Sequence, residues 1–352
     1  MKNDENYYHE RNLKNLDRID ELLLELPPYV EDFLRGVEMR TSTLTRLNYC
    51  YDLRIYFYFL CERKFRLKAV TEITLDDLGS VTDTDIEIFL SWLSNYKYQG
   101  KRLSCGERAK ARKLSTVRSM YKYFFNKNLI EVNNTTKVST PKLHEKEIIR
   151  LEGNEVSSIL DVAEYGTQLP EHARGYHDKT KIRDVAILTL FLGTGIRISE
   201  LVGLNNESID FSNNSFVVTR KGGNNAILYF SEEVGDALAA YLAQKQEDSQ
   251  IPPGEHALFL SLQYRRITVR AVENLVKKYA KIVSPLKKIT PHKLRSTYGT
   301  NLYRETGDIY IVADVLGHKD VNTTRKHYAA ITEDNRRSVA NAVRLHKKDD
   351  DA

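Results

Sequence analysis

Four short segments concentrate side chains able to carry charge, move protons or act as nucleophiles: GTGIRISEL at 193–201, VVTRKGGNN at 217–225, TPHKLRST at 290–297 and LGHKDVNTTRKHY at 316–328. Arg197 and Arg295 bring permanently charged guanidinium forks suited to gripping an oxyanion through two hydrogen bonds. His292 and His318 titrate near neutral pH and can donate hydrogen bonds or pass protons. Lys221 offers a proton donor in a glycine-rich turn, and Tyr328 a hydroxyl that can attack as a nucleophile. Each segment alone also has an ordinary reading. An arginine after a glycine turn caps a helix, a lysine beside Gly-Gly is a solvated turn, a histidine satisfies a backbone group, and a tyrosine at helical spacing is core.

The joint order of these residues resembles that of the tyrosine recombinases, also called the phage integrase family. There an Arg in a G-x-R-x-x-E-L segment, a Lys in a β-hairpin, an H-x-x-R segment, an L-G-H segment and a Tyr follow one another. This chain presents Arg197, Lys221, His292 with Arg295, His318 and Tyr328 in that sequence, over roughly residues 150–335. TRKGG and TPHKLR are especially similar to Xer recombinases of the single-protein, XerS-like type, and mobile-element integrases share much of the pattern.

The resemblance implies a mainly α fold with a small β-sheet or hairpin, arranged as a two-domain clamp: a helical core-binding domain plus a mixed α/β catalytic domain. It implies a site-specific recombinase serving chromosome dimer resolution or the integration and excision of a mobile element. Attack on a phosphodiester builds negative charge on its non-bridging oxygens, and fixed cations placed there lower the barrier. Arg197 and Arg295 fill that role, His292 and His318 add hydrogen bonds or move protons, Lys221 protonates the leaving 5′ oxygen, and Tyr328 forms a 3′-phosphotyrosyl link. That chemistry needs no nucleotide cofactor and no metal. The implied partners are double-stranded DNA with paired half-sites and further copies of the chain, a dimer rising to a tetramer on DNA, with an accessory protein as an additional candidate. A catalytically inactive DNA-binding regulator of the same fold and a type IB topoisomerase are the competing readings. Two departures stand out. Tyr328 lies 10 residues after His318, one more than the family's usual spacing, which would fall on His327. Ser296 follows Arg295 where many relatives carry a second histidine. Glu200 either orients Arg197 or His292 or is a solvated helix residue.

The elements that must position these groups are legible as periodicities. A chain of 352 residues exceeds the usual single-domain size of about 100–200 residues. Apolar residues at three- and four-residue steps predict helices over 42–64, 83–96 and 104–127. Pro27 and Pro28 break the chain, so 1–28 reads as an acidic N-terminal arm and 29–130 as a helical DNA-binding domain. Residues 131–148 read as an exposed linker, 149–335 as the catalytic domain, and 336–352 as a C-terminal helix and tail in which 338–345 could dock on a neighbour. In the catalytic domain helices are expected over 184–192, 198–204, 232–246, 269–282, 292–305, 309–316 and 323–330, with strands at 215–220 and 226–230.

The net charge of +5 is weakly informative, but its distribution is not: residues 101–127 hold nine bases against the single acid Glu107. Such a block is the footprint expected for phosphate contacts, with a solvated helix face as the plain alternative. Lys110, Arg112, Lys113, Arg118 and Lys122 are read as the wet, DNA-facing side of that helix. Cys50, Cys61 and Cys105 lack CxxC spacing and read as reduced thiols. A polar N-terminus and the lack of any apolar run of about 18 residues predict a cytoplasmic protein without a membrane partner.

Overall fold

The computed structural model describes residues 2–144, 149–220, 223–317 and 321. The chain divides into two compact units, Glu5–Lys146 and, chiefly, Glu147–Ala352. No described helix is long and apolar enough to cross a membrane.

The first unit is built on α1 (Lys2–Leu23), α2 (Tyr29–Val37), α3 (Thr43–Arg63), α4 (Leu75–Gly79), α5 (Asp83–Trp92) and α6 (Glu107–Asn126), with a hairpin of β1 (Tyr96–Tyr98) and β2 (Lys101–Leu103). Helix starts follow their caps: Ser42, Thr74 and Thr82 each accept from a backbone N–H of the first turn, and Asp77 and Asp85 return the bond to the caps at 74 and 82. Such capping boxes satisfy two orphan donors at once. An aromatic core fills the interior, with Tyr56, Phe57, Phe59, Phe89, Tyr121 and Phe124 wholly or almost wholly buried.

Three expectations for this unit need correction. The 1–28 arm is largely the helix α1, and Ile19, Leu22 and Leu26 belong to the core, so the acidic residues mark its outer face rather than a detached arm. The early part of the 131–148 stretch is packed rather than exposed: Thr135 and Val138 are buried. Arg118 donates to the carbonyls of Thr135 and Val138 and to Thr140 Oγ1, stitching that stretch to α6. Lys113 is buried and not on the wet side of α6, because its ammonium donates to Asp52 Oδ1 at 2.8 Å. Asp52 is fully buried and also accepts from Arg112 at 2.6 Å and Thr116 Oγ1 at 3.0 Å.

The second unit holds α7 (Gly153–Tyr165), α8 (Glu171–Thr194), α9 (Ile198–Gly203), α10 (Glu232–Glu247), α11 (Val269–Val283), α12 (Pro291–Thr306) and α13 (Ile309–Leu316). Helix α8 is central, packing against α7, α10 and α12. Its C-terminal half, with Ala186, Ile187, Leu188, Leu190 and Phe191 buried, is apolar nearly all round, as a helix enclosed by others must be. A three-stranded antiparallel sheet of β3 (Ile209–Asp210), β4 (Ser215–Thr219) and β5 (Asn225–Tyr229) pairs Phe216 with Leu228 and Val218 with Ala226. Phe216, Val218 and Leu228 point into the core and Val217, Ile227 and Tyr229 are exposed, the alternation of a sheet covered on one face.

Helix α8 starts far earlier than the apolar pattern predicts, because its first half is held by polar groups. Asp184, buried, accepts from Arg183 at 2.7 Å, Thr180 Oγ1 at 3.1 Å and Tyr279 Oη at 2.9 Å. The expected helices at 323–330 and 338–345 lie outside the described residues.

Removing one partner of a buried ionic cluster leaves the other charge uncompensated, at a cost of about 3–5 kcal/mol. Asp52→Ala, which strands Lys113, is therefore expected to destabilise the first unit by that amount in urea unfolding. A loss below about 1 kcal/mol would show that the cluster behaves as a surface pair.

Candidate active site

Two of the predicted catalytic residues are brought together by the ends of three helices. Helix α8 stops at Gly195, whose φ of +62° is the left-handed cap glycine adopts without penalty. A side chain there would also collide with its surroundings: a Cβ would overlap the Tyr298 ring and lie 2.9 Å from Leu316 Cδ2. The chain turns through Ile196 and places Arg197 at the N-cap of α9.

Glu200, one turn into α9 and buried, resolves the two readings of its role. Its Oε2 accepts from the Arg197 backbone N–H at 3.0 Å and its Oε1 from Arg197 Nη1 at 2.7 Å. Glu200 thus fixes both the start of α9 and the direction of the guanidinium. The other side of the fork, Nη2, donates to the carbonyls of Leu316 at 3.1 Å and Gly317 at 2.9 Å.

Arg295 arrives from α12, which begins with Thr290 as N-cap and Pro291 in its first turn. It is 5% exposed, and its Nη1 donates to the carbonyl of Gly195 while Nη2 donates to that of Leu316. Both guanidinium groups therefore converge on one backbone oxygen, the carbonyl of the last residue of α13. Carbonyls at a helix C-terminus lack helical donors and carry the negative end of the macrodipole, so they attract cations. Donors gathered this way can also accept an oxyanion, and the Arg197 side chain keeps 35% of its surface exposed.

His292 sits one turn before Arg295 on α12 and is exposed. Ser296 turns back on its own helix, donating to the His292 carbonyl at 3.1 Å. Lys221, His318 and Tyr328 lie outside the described residues; Arg220 and Gly317 are the described neighbours of the first two.

Arg220 lies outside the set of residues that the sequence motifs single out. Its Nη2 donates to the Val315 carbonyl at 3.3 Å, and its guanidinium lies against Gly317. The only sequence signal was its place inside TRKGG, which did not separate it from the neighbouring lysine.

In the first unit, the five predicted DNA-binding residues separate by environment. Lys122 is exposed, Lys110 bonds Ser94 Oγ, Arg112 reaches Asp52 with a side chain 52% exposed, and Lys113 and Arg118 are committed to internal partners. The β1–β2 hairpin, which periodicity missed, adds exposed Lys97, Lys101 and Arg102. Its turn is marked by Gln99 and Gly100, both at positive φ, but three-residue strands give too short an alternation to read.

This architecture is that of enzymes and transposon proteins solved with DNA. A post-cleavage complex of the XerH site-specific recombinase with palindromic difH substrate superposes with a TM-score of 0.66 at 15% identity, covering 92% of this chain and 88% of that one. A lambda integrase (75–356) dimer bound to a COC′ core site gives 0.58 at 14% identity, covering 85% and 94%. The Phage integrase family profile matches residues 149–335, and the chain belongs to that family. Among curated relatives, tyrosine recombinase XerC of Caldanaerobacter subterraneus is 33% identical over 313 residues, covering 86% of this chain and 83% of its own. Tyrosine recombinase XerS of Lactococcus lactis is 28% identical over 350 residues, covering 92% and 98%.

Gly195 joins positive φ to a closed contact, so Gly195→Ala is expected to cost about 2–4 kcal/mol in stability, read by urea or thermal unfolding. A variant as stable as the native protein would mean that the Tyr298 and Leu316 contacts give way freely.

Proposed function

We propose that this protein is a site-specific DNA recombinase that cuts and rejoins strands through a 3′-phosphotyrosyl intermediate on Tyr328. The observation that carries the reading is the meeting of Arg197 and Arg295, distant in sequence, on the Leu316 carbonyl, two residues before His318. A scissile phosphate taking up the donors of these arginines would have its non-bridging oxygens faced by two fixed cations. Glu200 keeps Arg197 aimed, and His292, exposed at the first turn of α12, is assigned a hydrogen bond to the same phosphate.

In the proposed step the Tyr328 phenolic oxygen attacks phosphorus, its proton passes to an imidazole, His318 or His292, and the bond from phosphorus to the 5′ oxygen breaks. Lys221, which falls in the sequence between β4 and β5, gives that oxygen its proton. The phosphotyrosyl bond conserves the energy of the broken phosphodiester. A 5′ hydroxyl from a partner strand then attacks phosphorus and expels the tyrosine. The substrate proposed is duplex DNA with paired half-sites, bound by dimers that assemble to a tetramer. Phosphate contacts from the first unit are assigned to Lys122, Arg112 and the exposed cations of the β1–β2 hairpin.

A nicked duplex that traps the intermediate should give a covalent adduct with native protein and none with Tyr328→Phe. No adduct with native protein would leave only a DNA-binding regulator. Lys221→Ala is expected to slow cleavage by about 100-fold or more, and a substrate with sulfur in the 5′ bridging position should restore it, since a thiolate leaves without a proton. Persistence of the defect on that substrate would remove Lys221 as the acid.

A further inference from the structure

The second unit contains a third guanidinium at the same place, and its role differs from the other two. Arg197, Arg220 and Arg295 cover three consecutive carbonyls at the end of α13: Arg220 on Val315, Arg197 on Leu316 and Gly317, Arg295 on Leu316. Gly317 ends that helix at φ +59°, and a Cβ built there would overlap the Arg220 guanidinium. The arginine therefore occupies the space that any other residue at 317 would need. Its Nε is buried and, among the described residues, has no hydrogen-bond partner. A buried unsatisfied donor costs about 1–3 kcal/mol, so this placement is not explained by stability alone.

We propose that Arg220 is a positioning residue for the phosphate site, acting through the Val315–Gly317 turn rather than on DNA. It extends from the end of β4 and clamps the turn whose carbonyls hold Arg197 and Arg295. The enclosure of its Nε and its packing against Gly317 set it apart from Arg197, whose guanidinium retains solvent exposure. Without this clamp the turn can shift, and the two phosphate-binding guanidiniums lose their common reference point. Displacements of about 1 Å in such arrangements cost about 100-fold in rate. The inference rests on the reading of the protein as a phosphotyrosyl recombinase.

The test uses full-length protein and two variants: Arg220→Ala and Arg220→Met, the second keeping side-chain length and packing. Native protein on the trapping substrate comes first, because failure to form an adduct would reject the recombinase reading and not this one. Given native activity, both variants are expected to bind duplex DNA with an unchanged salt dependence and to cleave about 10- to 100-fold more slowly. A fall of about one in the slope of log affinity against log salt would make Arg220 a direct phosphate contact and overturn the proposal. A duplex with a neutral methylphosphonate at the cleavage position relieves the need for precisely aimed cations, so the variants should approach the native rate there. A defect equally large on the neutral and charged substrates would mean general loss of structure and would also overturn it. Should Arg220→Ala fail to fold, Arg220→Met decides by the same readouts, and a Met variant cleaving at the native rate rejects the clamp.

Discussion

The carbonyl of Leu316 is the point on which the catalytic unit is organised. It belongs to the last residue of α13, its oxygen has no helical donor, and guanidiniums from the start of α9 and the second turn of α12 reach it together. Bringing two permanent cations so close is unfavourable in a dry interior unless negative charge meets them. Here the buried carboxylate of Glu200 and the negative dipole end of α13 supply it. A DNA phosphate is a stronger counterion than a carbonyl, so the same donors that hold the helix end can hold a transferring phosphoryl group.

Everything near that point serves its position. Gly195 lets α8 end without a side chain between Tyr298 and Leu316, and its own carbonyl takes the second branch of Arg295. Asp308 caps α13 by accepting from the backbone of Tyr310 and Ile311, and Val312 and Leu316 tie the helix to Tyr303 on α12. Gly307 and Gly317, both left-handed, bracket α13, so a short helix is fixed at either end by glycine turns. The aromatic core of the first unit and its Asp52 cluster hold α3 against α6, while Lys122 and the cations of the β1–β2 hairpin stay at the surface.

Much of this was readable because short-range rules leave marks in sequence. The boundaries of α13, between Asp308 and Gly317, follow from capping chemistry, and the strands at 215–219 and 225–229 from alternation about a glycine turn. The order of Arg197, His292 and Arg295 in their segments marks them as candidates, and the structure brings the two arginines together on Leu316. What stayed hidden depended on partners distant in the chain. Nothing in the run of bases on α6 distinguishes Lys113, which turns inward to Asp52, from Lys122, which turns outward. The first half of α8 is too polar to show an apolar stripe, since Arg183, Asp184 and Thr180 are buried by bonding one another and Tyr279. Arg220 beside Lys221 is the same kind of case: adjacent cations whose roles separate only when the end of α13 is placed next to them.

The most direct measurement is a structure of the full chain on its DNA with vanadate in place of the scissile phosphate. The account predicts equatorial vanadate oxygens at hydrogen-bond distance, about 3 Å, from Arg197 and Arg295, with the Tyr328 oxygen at an axial position. Vanadate bound away from both arginines, or a different side chain in the axial position, would contradict it.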